Sequence, residues 1–290
     1  NIEKNRIKIE AGDIQGVNHG LASLLQLIMT AKDAQLPVLT IQDKPAFGYR
    51  GLMLDCARHF WTVDELKETL DHMAFFKLNT LHMHLTDNQA WRLSMDKYPD
   101  LVKEGTYYYD FPELSGKYYS KEDLKEIVTY AGTRGIEIIP EVDLPGHSIA
   151  LLAALPELSC RGGKFEATPE ERDWNKRKRG NENMICIGNP QSFAFAEDVI
   201  DALIEIFPSQ YIHFGGDEVP TDIWEKCPKC MALYKREGMK SPGEIQDYFT
   251  RKMSDLIRSK GKIMIGWGEI NDRHAAGPND VLTIWRDNGV

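Results

Sequence analysis

The sequence predicts an α/β protein of the (β/α)8 TIM-barrel type, with the C-terminal strands of the barrel expected beyond Val290. Three observations point there. Short apolar strands alternate with amphipathic helices, a rhythm that builds a parallel sheet with right-handed crossovers. Polar and aromatic residues gather at the C-terminal ends of the strands: Asp55 and Arg58, Asp87, Glu141 and Asp143, Asp217 and Glu218, Trp267, and Trp285. Such one-ended clustering marks the active face of a barrel. Finally, no glycine-rich phosphate loop follows the first of these strands, which argues against a doubly wound open sheet.

The elements follow in order. Residues 7–10 alternate as a short strand, 19–31 carry an amphipathic helical pattern, and 37–45 read as a linker. Residues 1–45 therefore read as the end of a preceding α/β module, and 46–290 as the barrel. Gly51-Leu-Met-Leu-Asp55 is a buried strand. Thr62 caps the next helix, with Glu65 in the capping-box position. Residues 80–85 alternate as a second strand. Ser120 and Asp123 repeat the capping pattern before a helix that Gly135 ends, and 136–141 form a third strand. An irregular region spans 155–190. A helix over 193–207 leads to a strand over 211–214. Residues 223–236 and 244–259 are two further helices, and 263–267 and 281–285 the fifth and sixth strands.

Composition excludes several classes. Of 290 residues, 42% are hydrophobic and 27% charged, an ordinary globular balance. A formal charge of −9 argues against a nucleic-acid partner. The basic run at residues 176–179 lacks interleaved aromatics and reads as a solvated loop. No apolar run reaches the ~20 residues of a membrane span. The chain begins at Asn1, so it reads as a processed form or a fragment. Five cysteines are too few for a disulfide scaffold. Cys227-Pro-Lys-Cys230 has metal-ligand spacing, but no second pair follows it to complete four ligands. Cys160 and Cys186 flank a polar insertion and would close it as a disulfide in an oxidising compartment.

Tyr211-Ile-His-Phe-Gly-Gly-Asp-Glu218 carries the most chemistry. A buried strand ending in Gly-Gly brings backbone close to a ligand, and two adjacent carboxylates follow. Like charges so close cannot both ionise easily, so one is expected to stay protonated. One proton donor beside one anion suits the cleavage of a glycosidic bond. The plainer alternative is a pair of acids capping a helix.

Four segments decide between these. They are Arg50-Gly-Leu-Met-Leu-Asp-Cys-Ala-Arg-His-Phe60, Leu78-Asn-Thr-Leu-His-Met-His-Leu-Thr-Asp-Asn-Gln-Ala-Trp-Arg92, Pro140-Glu-Val-Asp-Leu-Pro-Gly-His147 and His213-Phe-Gly-Gly-Asp-Glu218. Together, and in this order, they resemble glycoside hydrolase family 20, the β-N-acetylhexosaminidases. The first 45 residues resemble the tail of that family's small non-catalytic α/β domain. The resemblance implies a substrate-assisted reaction in which the sugar's own 2-acetamido oxygen attacks the anomeric carbon. Glu218 would be the general acid and then the base, and Asp217 would hold the acetamido group. Arg58 would grip hydroxyls at the far side of the ring, and Asp143 would lie near the sugar. An Asp87–His147–Glu218 chain would tune the acid. Trp267 and Trp285 would wall the N-acetyl pocket. No metal or organic cofactor is implied.

Two departures stand out. The family's usual Trp-Asp-Glu is Trp267-Gly268-Glu269 here, and two further strands with their pocket residues would have to follow Trp285. The expected partner is a glycan or oligosaccharide containing N-acetylhexosamine, acted on in the periplasm or outside the cell. The alternatives are release of a disaccharide, as a lacto-N-biosidase does, and a non-catalytic carbohydrate-binding barrel.

Overall fold

A computed structural model describes residues 1–32, 35–108, 112–167 and 184–286 of the chain. The basic run at 176–179, with the rest of 168–183 in the expected irregular region, lies outside the described residues.

In chain order the elements are β1 (Ile2–Glu3), β2 (Arg6–Ile7), α1 (Ile14–Thr30), β3 (Gly51–Asp55), α2 (Val63–Phe75), β4 (Thr80–His84), α3 (Asp100–Lys103), α4 (Lys121–Thr133) and β5 (Glu137–Glu141). There follow α5 (Ile149–Ala154), α6 (Pro190–Ile206), β6 (Tyr211–His213), α7 (Asp222–Lys226), α8 (Pro228–Arg236), α9 (Glu244–Ser259), β7 (Ile263–Trp267) and β8 (Val281–Thr283). Strands β3 to β8 join in sequence order into one six-stranded sheet, and β5 to β8 pair in parallel register. Parallel neighbours in unbroken order, joined by helices, are the pattern of a partial (β/α)8 barrel. No helix among the described residues is long and apolar enough to cross a membrane.

The chain divides into two compact units. The first comprises residues 1–54, 61–82 and 125–138. Here β1 and β2 form a two-residue antiparallel hairpin, shorter than the strand expected over 7–10. Helix α1 begins five residues before its expected start, because Asp13 accepts the Gly16 N–H at 2.7 Å and so satisfies an otherwise unpaired donor. Helix α2 carries the full capping box: Glu65 N–H donates to Thr62 Oγ1 at 3.3 Å, and Thr62 N–H to Glu65 Oε2 at 2.7 Å. Gln26 ties α1 to the end of α2, its amide donating to the Phe75 carbonyl at 2.7 Å.

The second unit comprises residues 55–60, 83–124 and 139–290. Its core holds Phe195 against Trp91, with ring centroids 5.6 Å apart, and Phe249 against Phe193 and Phe214. Full burial of such rings stabilises by about 1.5–3 kcal/mol each. Ser120 and Asp123 reciprocate across the start of α4 at 2.9 and 3.0 Å. The helix expected over 223–236 is two helices. It breaks at Cys227-Pro228, where the proline ring offers no N–H to a preceding turn and instead opens α8 at its first position. Cys160 and Cys186 form no disulfide, and Cys227 and Cys230 lie beside them.

The backbone ladder runs past the named strand ends. Cys56 N–H donates to the His84 carbonyl at 2.9 Å, Leu85 to Glu141 at 3.0 Å, Val142 to His213 at 3.1 Å and Trp267 to Gly215 at 3.0 Å. These bonds hold the C-terminal strand ends side by side, so the residues that follow them share one face.

Candidate active site

Asp55 ends β3 and accepts the Ala57 and Arg58 N–H groups on Oδ1 at 3.0 and 2.9 Å. That turn returns the Arg58 side chain over the sheet end. Its Nη1 donates to Asp55 Oδ2 at 2.7 Å, Nη2 lies 2.6 Å from Asp87 Oδ2, and Nε donates to Gln89 Oε1 at 3.1 Å. A guanidinium held on three sides is fixed in direction as well as in charge.

Asp87 is 1% exposed and is the junction of the site. Besides Arg58 it faces His84 Nε2 at 2.9 Å and His147 Nδ1 at 3.1 Å. Burial alone would raise its pKa, but the His147, His84 and Arg58 charges outweigh burial and hold it well below the usual carboxylate range. The other nitrogen of His84 lies 2.8 Å from Glu141 Oε2. Caught between two carboxylates, His84 overcomes its desolvation and is raised well above an ordinary histidine. Acid and imidazole thus alternate from Glu141 through His84 and Asp87 to His147.

His147 sits in the left-handed region, at φ 47°, on the turn after β5. This strained placement turns Nε2 toward the paired acids, 3.5 Å from Asp217 Oδ2 and 3.8 Å from Glu218 Oε2. Burial depresses its pKa, yet Asp143, Asp87 and Asp217 together drive it up to about 12. The expected chain from Asp87 through His147 therefore forks, reaching Asp217 slightly closer than Glu218.

The glycines before the acids serve close packing within the chain. A Cβ on Gly215, at φ +63°, would fall 1.8 Å from Asp143 Oδ1, and one on Gly216, at φ +95°, 2.3 Å from Ile270 Cγ2. Asp143 Oδ1 takes the Gly216 N–H at 2.9 Å, and Thr86 Oγ1 takes the Asp143 N–H at 3.1 Å. The like-charge pair that matters is buried Asp143 with half-buried Asp217, not Asp217 with Glu218. Burial, with Asp217 alongside, holds Asp143 well above the usual carboxylate range. Asp217 feels burial too, but His147 outweighs it and keeps the group below its ordinary value. Asp217 is therefore the standing anion, and its Oδ1 is buried without a hydrogen-bond partner among the described residues. Glu218, also at positive φ (48°), turns outward with its side chain 47% exposed, where Arg286 Nη2 meets its Oε1.

Two tryptophans complete the face. Trp267 donates Nε1–H to Glu141 Oε1 at 2.8 Å and meets the His213 ring 4.9 Å away, edge to face. Trp285 stands 6.4 Å from Trp267 at 67° and is half exposed, its Nε1 donating to both Glu269 oxygens at 3.1 Å. Glu269 thus orients Trp285 even though Gly268 replaces the expected aspartate. Arg286 stacks over the Trp285 ring at 4.1 Å.

The described residues thus bring Arg58, Asp87, Asp143, His147, Asp217, Glu218, Trp267 and Trp285 onto one face at the strand ends. Four contributors escaped the sequence reading. His84 was legible only as an alternating strand residue, though period two already turned it the same way as His82. Glu141 was one of the strand-end acids but had no role. Glu269 was noted only beside the missing aspartate, and Arg286 carried no signal. Several of these groups lie within reach of a shared metal ion, but His84 and His147 already face carboxylates on both ring nitrogens.

Residues 47–290 match the family profile "Glycosyl hydrolase family 20, catalytic domain". The chain belongs to glycoside hydrolase family 20. It is 37% identical to a β-hexosaminidase of Porphyromonas gingivalis, over 99% of this chain and 38% of that protein. It is 39% identical to one of Akkermansia muciniphila, over 96% of this chain and 56% of that protein. Among solved structures it matches the family 20 exo-β-N-acetylglucosaminidase of Vibrio harveyi, crystallised with N-acetylglucosamine, at a TM-score of 0.87 and 35% identity, covering 98% of this chain and 46% of that one. The β-N-acetylhexosaminidase of Bacteroides fragilis matches at a TM-score of 0.85 and 32% identity, over 96% and 54% of the two chains. The chain spans about half the length of the relatives it matches.

Proposed function

We propose that the full-length protein is a retaining exo-β-N-acetylhexosaminidase that removes terminal β-linked N-acetylglucosamine or N-acetylgalactosamine by substrate assistance. The observation that carries this reading is the division of labour between neighbours. Asp217 is half-buried and anionic, its side chain 15% exposed and 3.5 Å from His147 Nε2, while Glu218 faces outward beside it.

In this reading the substrate's acetamido N–H donates to Asp217. Its carbonyl oxygen attacks the anomeric carbon, and the glycosidic C–O bond breaks as Glu218 gives its proton to the leaving oxygen. The cyclic oxazolinium that forms is steadied by the fixed Asp217 charge, which needs no reorganisation at that moment. Glu218, now a carboxylate, takes a proton from water, and the water oxygen attacks the same carbon and reopens the ring. Two inversions leave the configuration retained. His147 acts as a positioning residue for both acids. Arg58 supplies a cation of fixed direction for sugar hydroxyls, and Trp267 with Trp285 offers an angled aromatic corner for the N-acetyl methyl.

The test is turnover of a chromogenic N-acetyl-β-glucosaminide by the full-length protein and by Glu218→Gln. General acid–base assistance is worth about 10²–10⁴ in rate, so the variant should lose that much while still binding N-acetylglucosamine. Equal turnover by both proteins, or none by either, would refute the proposal.

A further inference from the structure

The four cysteines outside the β3 end form a cluster that the proposed reaction does not use. Cys160 Sγ lies 3.7 Å from Cys230 Sγ, and Cys186 Sγ lies 3.7 Å from Cys227 Sγ and 3.6 Å from Cys230 Sγ. All four sulfurs lie within 4.8 Å of one another. A disulfide needs sulfurs about 2.05 Å apart, so these pairs stand well outside bonding range. A tetrahedral zinc site has zinc–sulfur bonds of about 2.3 Å, which sets its sulfurs about 3.8 Å apart. The three sulfur separations fall within about 0.2 Å of that edge. We propose that Cys160, Cys186, Cys227 and Cys230 together hold one structural zinc ion.

The surrounding backbone is built for such a centre. Cys227 stands immediately before α8 and Cys230 in its first turn, with Pro228 at the first helical position. A helix N-terminus favours thiolate over thiol. Gly188 N–H points at Cys230 Sγ, 3.4 Å away, a donor of the kind that supports a ligating thiolate. Gly188 has no room for a side chain, since a Cβ there would fall 2.2 Å from the Lys229 carbonyl carbon. That glycine lets the turn after Cys186 press directly onto the Cys227–Cys230 knuckle. Three of the sulfurs belong to buried residues, Cys186, Cys227 and Cys230. Four sulfur ligands leave no open coordination position, so the ion braces the fold and takes no part in the chemistry. On binding, each thiol gives up its proton to solvent, and the four thiolates with Zn²⁺ leave a net charge of −2.

The spacing misled because the ligands come from three separate segments. The pair flanking the 161–185 insertion lies upstream of the knuckle it completes. The zinc pins both ends of that insertion to α8. Beside Cys186, Ile185 N–H donates to the Pro145 carbonyl at 3.0 Å, and Trp224 Nε1–H to the Ile185 carbonyl at 3.0 Å. The clamp therefore reaches the turn that carries His147.

Full-length protein, produced with zinc in the medium and purified without chelator, should contain zinc by elemental mass spectrometry. Cys186→Ser and Cys227→Ser should each lower that content by one ion per chain. X-ray absorption at the zinc edge of the wild-type protein should show a sulfur shell near 2.3 Å. A second measurement, independent of how the variants fold, uses the wild type alone. Alkylation under denaturing, non-reducing conditions followed by peptide mapping should find all four cysteines unpaired. Titration with an organomercurial should release zinc as they react. Disulfides among these four peptides, iron in place of zinc, or zinc content unchanged in both serine variants would overturn the assignment.

Discussion

A Cβ on Gly215 would stand 1.8 Å from Asp143 Oδ1 and 2.6 Å from the Asp143 Cα. The conflict involves backbone as well as side chain, so rotating Asp143 does not relieve it. Gly215 also sits at φ +63°, which costs an L-residue roughly 1–2 kcal/mol. Gly215→Ala should destabilise the second unit by about 3 kcal/mol, near the upper end of single-residue effects. Chemical denaturation reads this directly; a midpoint within error of wild type would contradict the close packing.

Stability should vary with pH in a defined direction. His147 is raised to about 12 in the folded state from about 6.5 unfolded. Its contribution is complete below pH ~6.5 and is lost as pH climbs from there toward 12, at up to about 1.4 kcal/mol per pH unit. Asp87 and Asp217 are lowered, so their contributions are complete above pH ~4 and fade as pH falls through the folded values. Asp143 is raised instead, so its contribution fades as pH rises above about 4, and the maximum should lie near pH 4 with a decline toward the alkaline side. In urea titrations His147→Gln should flatten the alkaline limb; an unchanged slope between pH 7 and 9 would argue against a charged His147.

Asp217→Asn keeps the shape of the side chain and removes its charge. The expected loss is about 10²–10³ in kcat for an N-acetylated substrate, the scale of one preorganised electrostatic contact. Affinity for N-acetylglucosamine should fall less. A loss confined to KM would point to binding alone.

Trp285 has the exposed face of the aromatic pair. Trp285→Ala should raise KM about tenfold, equivalent to about 1.4 kcal/mol of stacking, and leave kcat within a few-fold. Comparing Michaelis curves for the two proteins settles the split.

Thr62→Ala removes the side-chain acceptor for the Glu65 N–H while leaving the helix sequence intact. It should cost about 1 kcal/mol in denaturant titrations.

That last case also marks what a sequence displays most readily. Thr62 with Glu65, and Ser120 with Asp123, act over three residues, so their pattern survives without any knowledge of the fold. Strand order was legible for a similar reason: hydrophobic alternation and helix stops are local. The gathering of Arg58, Asp87, His147 and Asp217 followed from the strand-end rule and the family motifs. What stayed hidden depends on partners far apart in the chain. His84 becomes a link only because Glu141 and Asp87 reach it from different strand ends. The pairing of Asp143 with Asp217 was invisible because adjacency in the chain drew attention to Glu218 instead. Pro228 in contrast was visible, but its power to divide one apolar stripe into two helices was outweighed by the periodicity around it.

The row from Glu141 through His84 and Asp87 to His147 has an evolutionary corollary. Each member neutralises the next, so the cluster is tolerable in the interior only when whole. Replacing any one of them strands a neighbour's charge away from water. Drift at these positions is therefore a concerted matter, and a descendant lineage would either inherit the set intact or abandon it together.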